Sequence, residues 1–235
     1  MKITLTKKPK KPIIIEGFPG FGLVSTIACE FLLDHLKTEQ IGKITFDELA
    51  PMVAIHDNKV VDPLGIFYNK QYNIVIVHAV TASQGHEWRL ADVIMDLAAQ
   101  LDAKEIICLE GVGSGDTIKE SKTFYYSSDD KKCKKLKSIN IEPLKEGIIM
   151  GVTGALLVKS TIPMSCIFAE AHTNLPDSKA AAKIIEALDK YIGLKVDSKP
   201  LLEQATKFEG KLRGLIEKSQ GAQEMSDRKR LSYVG

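Results

Sequence analysis

The chain has 235 residues, 44% of them hydrophobic and 26% charged, a balance that excludes intrinsic disorder and fibrous repeats and is enough for one large core. A formal net charge of +2 excludes the strongly basic footprint of a nucleic-acid binder. The longest apolar run, 148–158, holds two glycines and a threonine and falls well short of the about 20 residues that a membrane-spanning helix needs, so no membrane association is expected.

In chain order, residues 12–16 are a short β-branched run that breaks at Gly17, and over 22–37 the apolar Leu23, Ile27, Phe31, Leu32 and Leu36 recur at helical spacing. Strand, tight turn and helix are predicted. Runs at 41–46, 52–56 and 65–68, separated by Asp57-Asn58 and Asp62-Pro63, predict further strands joined by hairpins. Residues 73–80 are almost continuously apolar, as in a strand buried on both faces of a parallel sheet. A helix over 85–101 and a strand over 105–109 complete a strand–helix–strand unit.

After the loop 110–118 come a tyrosine-rich strand at 123–126, a lysine-rich segment, a helix over 147–160 and a last inner strand at 163–169. Asp177 is the expected N-cap of a helix with Ala181, Ile184, Ile185, Leu188 and Ile192 on one side, closed by Gly193. A final helix from near Ser198 carries Leu201, Ala205, Phe208, Leu212, Leu215 and Ile216 in a narrow stripe. That stripe either packs on the sheet or forms a seam between subunits. The alternation predicts a three-layer α/β sandwich around a mixed, largely parallel sheet. We divide the chain into an α/β domain over 1–196, an amphipathic helix over 197–219 and a flexible tail over 220–235.

Chemistry-bearing residues are sparse. Cys29, Cys108, Cys133 and Cys166 show no CxxC spacing; Cys29, Cys108 and Cys166 sit in apolar surroundings and read as buried free thiols. The five histidines have no metal-ligand spacing, and His86-Glu87 lacks the second histidine of HExxH, so neither a metal nor a cofactor is expected. No nucleophile elbow surrounds Ser114, because Val112 stands where its first glycine would be. His172 with Asp177, and His86 with Glu87, are generic acid–base pairs. The lysines between 131 and 137 read as a solvated surface segment or as a patch for an acidic protein partner. With only Ile13, Ile14 and Ile15 between the lysine-rich start and Glu16, no secretory segment is expected, and the protein reads as cytoplasmic.

Two glycine-rich loops follow predicted inner strands: Gly17-Phe18-Pro19-Gly20-Phe21-Gly22 and Glu110-Gly111-Val112-Gly113-Ser114-Gly115-Asp116. The first has the order GxxGxG, the reverse of the dinucleotide fingerprint, and lacks the Lys-Ser or Lys-Thr of a P-loop. Both are turns that need glycine for conformational reasons, or they meet at the carboxyl edge of the sheet and line a ligand crevice. At the other end of the chain, Leu231, Tyr233, Val234 and Gly235 close a polar stretch and read as a frayed terminus or as a docking peptide captured by its tyrosine and carboxylate.

Three segments in order carry a family resemblance: residues 17–24, beginning Gly17-Phe18-Pro19-Gly20; residues 151–157, beginning Gly151-Val152-Thr153-Gly154; and residues 174–181, beginning Asn174-Leu175-Pro176-Asp177. Over about 12–206 the chain resembles the PAC2 family of proteasome assembly chaperones and their archaeal homologues. The resemblance implies a phosphorylase/hydrolase-like fold without enzymatic equipment, assembly into homo-oligomers, and association with proteasome α subunits or α-rings. Ring-docking members end in a hydrophobic–tyrosine–any-residue tail. This chain departs from that pattern, with Tyr233 third from the end and Ser232 before it, a shift of about 3.3 Å in the carboxylate. The expected function is a binding protein for proteasome subunits; the alternative is an enzyme or sensor that takes a nucleoside or phosphometabolite at the glycine loops.

Overall fold

The computed structural model describes residues 1–46, 53–56, 59–80, 85–113, 121–171, 176–203 and 205. The nine-stranded sheet is built from β1 (Lys2–Leu5), β2 (Ile13–Gly17), β3 (Glu39–Thr45), β6 (Leu64–Asn69), β7 (Ile74–Ala79), β8 (Glu105–Gly113), β9 (Thr123–Ser127), β10 (Glu142–Pro143) and β11 (Met164–Ala171). Their order across the sheet is β1-β3-β6-β7-β2-β8-β11-β9-β10, and β4 (Ala54–His56) and β5 (Lys59–Val61) pair as a separate hairpin. Parallel pairing runs through the centre, β7-β2-β8-β11, and recurs between β9 and β10; the β1-β3-β6-β7 side and the β9–β11 pair are antiparallel. The sheet is mixed, as expected.

Alternation along the central strands assigns the two faces. Ile15 of β2 and Ile107 and Leu109 of β8 face α1 (Val24–His35) and α5 (Ser178–Ile192), where Ile27, Leu32, Ile184, Ile185 and Leu188 complete one core. Ile14 of β2 and Ile106 and Cys108 of β8 face α2 (Glu87–Leu101) and α4 (Gly151–Lys159), where Leu90, Ile94, Leu97 and Leu156 complete the other. Helices on both faces of the sheet make three layers. Burying one such Ile or Leu stabilises the fold by about 1.5–3 kcal/mol. By the same alternation, Glu16 and Glu110 point to the α4 face, two residues beyond Ile14 and Cys108.

Besides the unpredicted short strands β1, β5 and β10, three local features differ from expectation. The strand predicted over 105–109 continues to Gly113, because β11 supplies partners as far as Ala169↔Gly111 and Ala171↔Gly113. The lysine-rich segment is a helix, α3 (Asp130–Ser138): the Asp129 carboxylate accepts the N–H groups of Lys131 and Lys132, and Leu136 is buried. In the predicted strand–helix–strand unit, β7 and β8 are parallel but not adjacent, since β2 lies between them. Helix α5 has its expected caps, with Asp177 accepting from Ala180 N–H and Gly193 left-handed at φ 73°. Of the final helix, α6 (Lys199–Glu203) is described, and Phe208, Leu212, Leu215 and Ile216 lie outside the described residues.

Candidate functional site

β2 ends beside the middle of β8, which runs on to Gly113, and there the structure brings the two glycine-rich segments together. Gly17 packs against Cys29 of α1 without room for a Cβ. The chain then turns over the end of β8: Gly20 lies on the Glu110 carboxyl, and Gly111 lies on the Phe21 carbonyl, again with no space for a Cβ. A 3-10 turn, Phe21–Leu23, leads into α1 through left-handed Gly22 (φ 64°) and Leu23 (φ 50°). The buried Ser25 hydroxyl donates to the Phe18 carbonyl and fastens the loop to the helix. Gly115 and the rest of 114–120 lie outside the described residues, as do His172 and the tail residues Leu231, Tyr233, Val234 and Gly235.

Under this loop sits a pair of acids joined by one hydroxyl. Thr153 Oγ1, in the first turn of α4, is 3.2 Å from Glu16 Oε2 and 3.1 Å from Glu110 Oε2. Glu16 and Thr153 are each 1% exposed, while Glu110 is half-buried with an edge towards the cleft. Glu16 accepts from the Cys108 thiol and from Phe18 N–H, yet burial outweighs these bonds and raises it to about 7. Burial, reinforced by the charge of Glu16, raises Glu110 to about 8 against hydrogen bonds from Thr153 and from Gly111 and Phe21 N–H. The Cys108 thiol is raised as well, by burial first, then by its contact with Cys166 and the charge of Glu16.

The acids form the floor of a cleft of about 990 Å³. Its walls carry Glu87, Glu142, Glu146 and Glu170, with Lys145 as the one lysine among the described lining residues. Ile148 and Met150 stand at the rim, 91% and 77% exposed. The amides of Phe18, Phe21 and Gly111 already serve the carboxyls. The cleft is thus acidic with an apolar rim.

Sequence reasoning named Glu110 and the loop glycines but not Glu16 or Thr153. A signal for Glu16 was present: an acid at the end of Ile13-Ile14-Ile15, inside a strand buried on both faces, must be either paired or protonated. The other acid–base candidates do not converge on the cleft as pairs. His86 packs edge-on against Phe46 at 4.6 Å, Glu87 accepts Gly85 N–H at 3.1 Å, and Asp177 caps α5. Among the described residues, no group of three or more His, Cys, Asp or Glu could hold a metal ion, and no helix is long and apolar enough to cross a membrane.

Fold and site define a three-layer α/β protein whose strand-end cleft closes on a buried acid pair. The chain belongs to the PAC2 family, whose model matches residues 14–216. A relative from Methanocaldococcus jannaschii, an uncharacterized protein, is 28% identical over 211 residues, 88% of this chain and 87% of its own. Among solved structures, Pyrococcus furiosus PbaA, described as an archaeal homolog of proteasome-assembly chaperone, is 30% identical with a TM-score of 0.84, covering 94% of this chain and 99% of PbaA. P. furiosus PbaB, described as an archaeal proteasome activator, shares the fold at 24% identity and a TM-score of 0.74, covering 91% of this chain and 98% of PbaB.

Proposed function

We propose that this protein is a proteasome assembly chaperone-like binding protein: a cytoplasmic homo-oligomer that associates with proteasome α subunits or α-rings and catalyses no reaction. The observation that carries this reading is the end-to-end match to PbaA, which spans nearly all of both chains at 30% identity. The site is compatible with it, since the best-aligned polar groups at the strand ends are spent on one another. The tail residues Leu231, Tyr233, Val234 and Gly235 contribute affinity by entering a pocket on the partner.

The alternative ligand, a phosphometabolite at the glycine loops, gains no support from the geometry. Four acids on the walls against one lysine repel an anion.

The test is native-gel and sizing analysis of the protein mixed with proteasome α-rings, comparing the full chain with one lacking residues 231–235. A complex that weakens on truncation supports both the partner and the role of the tail. A complex that survives truncation moves the contact to the α/β domain. Absence of any complex at micromolar concentration sinks the proposal.

A further inference from the structure

Thr153 poses a proton-counting problem. A hydroxyl has one hydrogen to donate and lone pairs to accept with, whereas an ionised carboxylate only accepts. Thr153 Oγ1 lies within hydrogen-bond distance of both Glu16 Oε2 and Glu110 Oε2. Both contacts are hydrogen bonds only if one of the carboxyls brings a second proton. Were both acids ionised, the hydroxyl would satisfy one, and the other would face a like charge beside a carboxyl that is 1% exposed.

We infer that Glu16, Thr153 and Glu110 form a proton-held latch: one carboxyl donates to the Thr153 hydroxyl, which donates to the other, and loss of the shared proton releases the first turn of α4 from the sheet. The three residues come from β2, α4 and β8, so the bridge ties the cleft wall to the cleft floor. Release carries the nine-residue α4 with it, because the helix is entered through Gly151, left-handed at φ 74° with open space around it, and follows the exposed Ile148 and Met150.

Burial and the surrounding acids favour keeping the proton, while the Cys108 hydrogen bond to Glu16 and the nearby Lys145 oppose it. From β8, the Cys108 thiol donates to Glu16, with Cys166 of β11 behind it; from α1, Cys29 lies beside Gly17 and within the field of Glu16 and Glu30. The cleft walls add Glu87 of α2, Glu142 of β10, Glu146 and Glu170 of β11 against Lys145. The values of about 7 for Glu16 and about 8 for Glu110 place the transition near neutral pH. The latch therefore sets how open the cleft is within the range a cell experiences.

The single tryptophan reports on α4. Lys159, the last residue of α4, donates to the Trp88 carbonyl at 3.3 Å and stands 5.4 Å from the centre of the Trp88 ring. Emission of Trp88 in the full chain, followed from about pH 5.5 to 9.5, is expected to show a step centred at about 7–8. The step should vanish in Glu110→Gln and persist in Thr153→Ser. A step from any other source would remain in every variant and is identified by that. Carbon-13 titration of glutamate carboxyls in the wild-type chain provides a readout that does not depend on any variant folding. Two acids already ionised at pH 6 would overturn the shared proton; a carboxyl titrating near pH 7.5 with no change at Trp88, or a step unchanged in Glu110→Gln, would overturn the release of α4.

Discussion

Gly20 rests on the Glu110 carboxyl so closely that no Cβ fits between them. A methyl group would strike Glu110 Oε1, and the same carboxyl is held by Thr153 at Oε2 and by the amides of Gly111 and Phe21, so it has little freedom to move aside. Gly20→Ala is expected to cost about 1–3 kcal/mol of stability, measured by urea unfolding. In the background of Glu110→Ala the same substitution should cost clearly less, because the clash is gone; an equal cost in both backgrounds would place the strain elsewhere.

Glu16 also makes stability depend on pH. Its value is about 7 in the folded chain against about 4.5 unfolded, so between these limits the folded state holds a proton that the unfolded chain has released. Stability then falls as pH rises through that window, by at most about 1.4 kcal/mol per pH unit for one carboxyl, and levels off above it. Glu16→Gln should flatten the curve. Urea midpoints at pH 5 and pH 8 for wild type and variant check the sign.

At the opposite end of β8, Glu105 is 2% exposed and accepts from Ser165 Oγ at 2.6 Å, Tyr191 OH at 2.9 Å and Lys132 Nζ at 2.5 Å. Lys132→Met strands a buried carboxylate and is expected to cost about 3 kcal/mol. Lys131→Met and Lys134→Met, at exposed positions of the same helix, should change stability by less than about 0.5 kcal/mol. Equal effects at all three would show that the lysine run acts only as a surface charge.

Cys29, Cys108 and Cys166 are buried, and Cys133 is partly accessible. Burial raises the Cys29 and Cys108 thiols well above their ordinary range, which removes the reactive thiolate. Alkylation of the folded protein at pH 8 should label Cys133 alone, and unfolding in urea should expose the remaining three. Rapid native labelling of Cys108 would mean that the core opens far more than its packing indicates.

Much of the α/β layout could be read from residue pattern, because strands such as β7 and helices such as α5 bury a periodic apolar face. What pattern does not encode is neighbourhood. Nothing in Ile13-Ile14-Ile15 says that β2 lies between β7 and β8, and the length of β8 depends on partners that β11 supplies some sixty residues later. Helix α3 was hidden by its lysines, since one buried Leu136 and an Asp129 cap leave little periodicity to detect. The acid pair was half-legible for the same reason: Glu110 stood beside glycines, whereas Thr153 acquires its role only when α4 folds back over two strands from distant parts of the chain.

The central position of β2 also bears on synthesis. Ile14 finds its partners at Val75 and Ile106, roughly 60 and 90 residues further along the chain. At about 5–20 residues per second, a ribosome would leave this sticky strand without its second neighbour for about 5–20 seconds. A protein that we read as guarding others during assembly would thus itself be exposed to aggregation while it is being made.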